Sequence, residues 1–487
     1  MANSIEIMAY QKKYTKISDK YIAKPNDIFS SGTGKYSIIA KNDVNNIASG
    51  DYSCAIGEGC TAAGYSSFAE GYSTTASSDS SHAEGDNTNA SGHSSHAEGS
   101  ASRASGEYSH AEGSSANALG DRSHAEGSNT TASGHSSHAE GFGTTALSDS
   151  SHAEGSSTTA SRYSSHAEGL GTTASSDSSH AEGKYTIASG NSSHAEGNYN
   201  IASGDYSHVE GEGDSSNSDV ISLTGNGSTS VYTSTSNLYY YYIGKEIKAN
   251  NKKAIIKAIS IKDKTITLSD SLGSLNSTNC TIARNTVAAG IGSHAEGSET
   301  SAYGSYSHAE GNSSAAIGNR SHAEGSSFAI GDASHAESIS SAIGEKSHAE
   351  GSSEANGPYS HAEGFKTIAS EDYSHAEGYY TTASGDYSHA EGYYTTTSSH
   401  YSHAEGYYTK ASGLCQHVFG KANIEDLNNT YVEIVGIGTN DTYRKNGRTL
   451  DWYGSEQLAG SLTLGLGTAN QTTVTAAQLK QLLALLS

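Results

Sequence analysis

Polar and small apolar residues alternate along this chain in one recurring string. Ser-His-Ala-Glu-Gly returns every fourteen residues, with histidines at His82, His96, His110, His124, His138, His152, His166, His180, His194 and His208. After an interruption it resumes at His294, His308 and His322, steps by thirteen through His335, His348 and His361, and recovers at His375, His389, His403 and His417. A repeat this short predicts stacked coils, each packing on the next. Numbered from its histidine, one coil reads His-Ala-Glu-Gly, two variable residues, Thr, a variable residue, Ala-Ser-Gly, two variable residues, Ser. The pattern predicts two five-residue strands, Ser-His-Ala-Glu-Gly and Thr-x-Ala-Ser-Gly, joined by Gly-led corners. Side chains alternate across a strand, so Ser, Ala and Gly of the first share one face and His and Glu the other. Fourteen residues per turn enclose too little space for anything larger than Ala, Ser or Thr, so the small set is the expected interior of an all-β parallel roll.

The rest of the chain divides around this repeat. Residues 1–47 form an attachment or capping segment with two short candidate strands, SIEIMAY and YSIIA. The first array covers 48–213, roughly twelve coils that open with the divergent SCAIGEG at Cys54 and SFAEG at Phe68. Over 214–288 the repeat gives way to DVISLTG, VYTS, LYYYYIGKEIKA, KAIIKAISI, KTITLSDSL and CTIARN, which alternate like half-buried strands and predict a small inserted β-domain. The second array covers 289–420. Residues 421–487 form a β plus short-helix cap, with strands in YVEIVGIG and TLDWYGSEQLAGSLTLG and a helix in TAAQLKQLLALL. That helix has a capping box at Thr475 and Gln478 and a leucine stripe at Leu479, Leu482, Leu483 and Leu486. So short a helix is marginal alone, and it is expected to pack on copies of itself or on the preceding strands.

Composition alone, with 34% hydrophobic residues, 55 Gly and a net charge of -24, would suggest a disordered chain; the register of the repeat overturns that. The acidic balance excludes nucleic acid as a partner, since no basic stripe is present to displace counterions. No secretion signal and no long apolar run is visible, so neither export nor membrane insertion is expected. Cys54, Cys60, Cys280 and Cys415 are too irregular for a disulfide framework or a zinc quartet. Cys54 occupies the slot that histidine fills later and reads as a small packed residue.

A ribbon with only Ala, Ser and Gly inside buries little apolar area at about 25 cal/mol per Å², while ordering costs more than about 1 kcal/mol per residue. Lateral association must supply the difference. The run A-S-G-D-Y-S-H-A-E-G at Ala383 to Gly392 resembles the A-x-G-x-x-S-x-A-x-G repeat of YadA-like trimeric adhesin heads. That resemblance spans both arrays and implies a left-handed parallel β-roll assembled as a homotrimeric rod. In that family the positions held here by His and Glu are usually Val and Ile facing the other subunits; only SCAIGEG keeps an Ile there. The expected trimer interface is therefore polar, carried by His82, Glu84, His96, Glu98, His110, Glu112, His138, Glu140, His308, Glu310, His375, Glu377, His389, Glu391, His403 and Glu405. Glutamates stacked about 5 Å apart repel by nearly 1 kcal/mol per neighbour even in water, and a histidine beside each is expected to donate to it and have its own pKa raised. Repeated His and Glu are good nickel or zinc ligands, but metal sites rarely come in twenty equivalent copies, so neither metal nor cofactor is expected. Nor is an enzyme, because no unrepeated polar constellation is visible.

Arrays of this type ending in RTLDWYGSEQLAGSLTLG resemble tail-fibre and tail-appendage proteins of phages of Gram-positive bacteria. The resemblance implies a receptor-binding protein in a virion tail, assembled in the host cytoplasm, with other tail or baseplate proteins and a host cell-surface glycan or cell-wall polymer as partners. Relatives sometimes carry a self-cleaving or chaperone domain further on, and no protease function is carried over. Candidate ligand-binding residues are the corner tyrosines Tyr380, Tyr394 and Tyr408, whose blander role is to stack and staple successive coils, and Tyr240, Tyr242, Lys252 and Lys253 of the insert, where a basic patch could meet an anionic polymer. A cell-surface trimeric adhesin is the alternative. An ice-binding solenoid is a lesser one, because only one threonine of each Thr-Thr-Ala at Thr144, Thr158 and Thr172 can face outward.

Overall fold

The computed structural model of the chain describes residues 29–40, 45–226, 230–234, 245–249, 252–260, 263–269, 271–272, 274–459, 461–464 and 472–485. The candidate strand SIEIMAY, the tyrosine run Tyr239 to Tyr242 and Leu486 lie outside them. Two compact units, Met1–His180 and Ala181–Ser487, make up the chain, and both are built on β-roll coils.

In the first unit one coil shows how the sequence makes the roll. A long strand, His138–Phe142, pairs in parallel with His152–Ser156, and a short one, Thr145–Ala146, with Thr159–Ala160. Like residues therefore face like residues, His138 on His152 and Thr145 on Thr159. Ser137, Ala139, Thr144, Ala146 and Ser151 are buried to 1% exposure or less, so the interior is the expected small set. Ser137 donates from its hydroxyl to the carbonyl of Gly134, satisfying itself inside the corner. The Thr144 hydroxyl is buried too and has no hydrogen-bond partner in the chain.

Two expectations need correcting. The second strand is two residues long, not five, because the chain turns as soon as Ala146 is inside. The glycine of Ser-His-Ala-Glu-Gly is not interior either: Gly141 is half-exposed with φ of 110°. A Cβ there would sit 2.1 Å from the carbonyl oxygen of Gly155 in the next coil. The glycine is needed for its left-handed backbone and for close approach of coils, not for small volume inside. The corners also hold non-glycine residues at positive φ, Ser150 at 57° and Ser157 at 58°. That conformation sends the Ser150 and Ser157 N–H groups to the carbonyls of His135 and Phe142 in the preceding coil, which offsets the backbone strain.

The second unit is built from the same kind of coil and carries the insert. Residues Asp214–Arg284 form a closed antiparallel barrel of six strands, Asp214–Asn226, Val231–Ser234, Glu246–Ala249, Lys252–Ser260, Thr265–Leu268 and Ser274–Arg284. Its core is Ile221, Leu223, Tyr232, Ile247, Ile256, Ile266, Leu268, Leu275, Cys280 and Ile282, with Tyr303 and Ile317 of the roll packed against it. Lys245, 1% exposed, donates to the carbonyl of Glu299 on the roll. Across the insert the roll loses no register: His208 pairs with His294 and Ile201 with Val287.

The thirteen-residue coils shorten one corner by a residue. Serine replaces the buried threonine there, and Ser327 reaches both Glu324 O at 2.8 Å and Ala336 O at 2.7 Å. Beyond His417–Lys421 the chain adds Tyr431–Ile437 in parallel, then turns antiparallel through Asn446–Asp451 and Glu456–Leu458. The helix is Ala476–Ala484, with Leu483 60% exposed.

Candidate functional site

In-register pairing turns each repeated position into a column. Through the first unit the imidazoles stack from His82 onward with ring centroids 4.6 to 4.9 Å apart, as for His82 on His96 and His124 on His138. In the second unit the column runs from His194 through His208, His294 and His375 to His417, as for His208 on His294 at 4.8 Å and His375 on His389 at 4.5 Å. The histidine column opens on apolar residues: Ile38 pairs with Cys54, Cys54 with Phe68 and Phe68 with His82. Phe68 stacks on His82, which an alignment of the divergent first coils onto the later repeats could have revealed.

The glutamates form a parallel column beside the rings. His96 Nε2 lies 3.5 Å from Glu84, His110 3.6 Å from Glu98, His138 4.0 Å from Glu140, His375 3.7 Å from Glu377 and His403 3.9 Å from Glu391. His82 reaches Glu70 at 4.0 Å, and His308 and His389 reach Glu310 and Glu391 at 4.0 and 3.8 Å. Glu112 aligns on Glu126, and Glu391 on Glu405. Within each unit the interface candidates thus lie on one face of the roll. Each side chain is about a third exposed within the single chain, as for His96 at 34% and Glu84 at 33%.

The electrostatics run opposite to the expected direction. Burial holds the imidazoles of His96, His110, His124, His138, His375, His389 and His403 below the usual histidine value, with the stacked neighbouring imidazole as the next cause. The carboxylates raise these values, as expected, but do not win, because they sit beyond hydrogen-bonding distance of most rings while desolvation acts on every one. The glutamates split in direction: Glu84 is lowered, first by its hydrogen bond with Glu98, while two others are raised. Glu98 is raised to about 7, first by its hydrogen bond with Glu84, and Glu391 to about 7, first by burial and then by hydrogen bonds with Glu405 and Glu377.

At the corners of the last coils the tyrosines form a second set of columns. Tyr380, Tyr394 and Tyr408 stack at 4.8 and 4.9 Å with planes within 8°, and Tyr379, Tyr393 and Tyr407 stack beside them. Stacking covers the faces of the inner rings, so this corner offers ring edges and phenol hydroxyls. Lys366 donates to the Tyr380 hydroxyl at 2.7 Å. On the barrel, Lys252 and Lys253 are exposed, with Lys253 directly opposite Lys248 in the adjacent strand. Tyr240 and Tyr242 fall outside the described residues. Thr144 points inward and Thr145 is half-exposed, one threonine per coil on the outer side. A feature the sequence reading missed is a corner aspartate that receives a backbone N–H from the coil before it, Tyr65 N to Asp79 and His135 N to Asp149, both at 2.9 Å. Recurrence of Asp two residues before the coil's last serine is the signal that would have found it.

Among the described residues no helix is long and apolar enough to cross a membrane. The family model for the YadA head domain repeat, in two copies, matches residues 48–74, 125–147 and 181–207. No curated protein matches the chain.

Proposed function

The chain carries YadA head domain repeats, and on that premise we propose that it builds a homotrimeric adhesive fibre, a tail fibre or receptor-binding protein of a phage or phage-like particle. Proteins of the YadA-like solenoid kind are structural or adhesive, and YadA-like heads form homotrimers. The observation that carries the trimer here is the pairing of a roll interior limited to the smallest side chains with one face of half-exposed His and Glu columns. The imidazole Nε2 atoms of His110, His124 and His138 on that face are shut off from water and make no hydrogen bond within the chain. Buried polar atoms of this kind normally have partners, and two further ladders would supply them.

The particle-borne role rests on the resemblance of RTLDWYGSEQLAGSLTLG to phage tail appendages. The family match equally supports a cell-surface trimeric adhesin. The binding surfaces in this reading are the tyrosine corner, acting through phenol hydroxyls and ring edges on a host glycan, and Lys252 and Lys253 of the barrel, acting on an anionic cell-wall polymer.

Sedimentation of the full chain tests the assembly: a species of three chains is expected, and a folded single chain overturns it. Locating the protein in purified particles supports the tail role, and in cell envelopes the adhesin. Pull-down on host cell walls should weaken when Tyr394 and Tyr408 become Ser, or Lys252 and Lys253 become Glu; binding unchanged by both pairs removes these surfaces.

A further inference from the structure

The columns also bring metal-ligating atoms together. His110, Glu112 and His124 each offer one donor atom, and the three lie within 4.8 Å of one another; His124, Glu126 and His138 do the same, as do His152, Glu154 and His166, with further triads along both units. We propose that these triads bind divalent late-transition ions, zinc being the type, through two imidazole Nε2 atoms from successive coils and one carboxylate oxygen between them.

Three observations support the site. The Nε2 atoms of His110, His124 and His138 are buried and make no hydrogen bond. With the ring proton on Nδ1, each Nε2 offers an in-plane lone pair; the rings stack parallel to within 3°, so two neighbours have to turn toward each other to share one ion. The donor set of two nitrogens and one carboxylate oxygen suits Zn²⁺, Ni²⁺ or Cu²⁺ and disfavours Mg²⁺ and Ca²⁺, which prefer all-oxygen shells. The register stacks Glu112 on Glu126 and Glu126 on Glu140, a line of like charges that a divalent cation offsets directly.

The geometry sets a condition and a count. Zinc holds nitrogen at about 2.0–2.1 Å, which puts two ligands of a tetrahedral ion roughly 3.4 Å apart. Donors up to 4.8 Å apart must therefore close by up to about 1.4 Å, a movement made by side-chain rotation in half-exposed residues. His124 belongs to two triads, and one Nε2 ligates one ion, so neighbouring sites exclude each other. Filling stops at one ion for every two coils, each ion keeping an open position for water or for a donor from another chain. The proposal concerns one chain's own ladder and does not rest on the fibre reading; at each ligating Nε2 the ion takes the place of the hydrogen bond from another chain.

The test uses the full chain, stripped with chelator and dialysed against zinc alone. Expected are several ions per chain, saturating near one per two coils, a zinc-edge absorption spectrum showing imidazole nitrogen with carboxylate oxygen, and no displacement by excess magnesium. Replacing His110, His124 and His138 together by Gln should lower the count by one or two ions. Replacing the corner histidines His93, His135 and His400 by Ala should leave it unchanged. If circular dichroism shows the triple variant unfolded, Glu112→Gln with Glu126→Gln replaces it, with the same loss expected. No bound zinc, a count insensitive to the ladder variants, or a count abolished by the corner variant overturns the proposal. Sedimentation of the same samples separates the two readings: trimers without zinc sink the ion sites alone, and zinc-binding monomers sink the trimer alone.

Discussion

His208 and His294 lie on opposite sides of the insert in sequence, yet their rings stack at 4.8 Å with planes 10° apart. The barrel is looped out of a single corner, and the coil closes beneath it as though the insert were absent. From His208 to Gly213 and on from Thr286 to Ser293 the chain contains fourteen residues, one complete coil.

Deleting residues 214–285 should therefore leave a folded roll. The expected outcome is an unchanged β signature per residue in far-ultraviolet circular dichroism and a melting temperature lowered only by the lost packing of Tyr303 and Ile317 and the lost Lys245 bond to Glu299. Collapse of the second array on deletion would show that the barrel is a structural requirement.

Gly392 has φ of 113°, and a Cβ on it would stand 2.2 Å from the carbonyl oxygen of Gly406. Gly392→Ala has to strain the backbone and push two coils apart, at a cost of about 3 kcal/mol or more. Ser384→Ala, at a half-exposed position of the preceding corner, should stay within about 0.5 kcal/mol. Denaturant melts of the two variants compare them directly.

The interior tolerates one more branch and little else. Val209 and Val418 occupy alanine slots at 0% exposure, so Ala390→Val should cost no more than about 1 kcal/mol, while Ala390→Leu overpacks the slot by about 3 kcal/mol. Equal melting of the two would mean that the interior has slack.

Acidification should weaken the roll. A histidine whose folded pKa lies below its unfolded one binds a proton more readily when unfolded, so it loses stability as pH falls from about 6.5 toward its depressed value. Glu98 and Glu391 act the other way: raised to about 7, each contributes stability that is complete below 4.5 and is lost as pH rises through 7. The depressed histidines outnumber the raised glutamates among the described residues, so the melting temperature is expected to fall between pH 7 and pH 5. Changing His110, His124, His138 and His152 to Gln should flatten that dependence; a slope unchanged by these substitutions places the titration elsewhere.

Periodicity made the parallel stack, the Ala, Ser and Thr interior and the shared His and Glu face legible, because a strand's two-residue alternation converts spacing into sidedness without reference to any distant contact. The glycine after each Glu resisted that reading: alternation assigns it inward, whereas Gly141 turns at a positive φ that only the approach of Gly155 explains.

Repeat spacing by itself thus determined which residues meet their own kind in the next coil. Only the tertiary structure decided how the insert is accommodated, that stacked tyrosines hide their ring faces, and that burial pushes the ladder imidazoles below their usual value. Desolvation and ring stacking depend on how closely coils approach, and a sequence spacing carries no such distance. Histidine beside glutamate reads as an ion pair on paper. Packed at 4.8 Å between two other imidazoles, as in the pair His110 and His124 with its neighbours, the ring loses water and gains like neighbours, and the neutral form prevails.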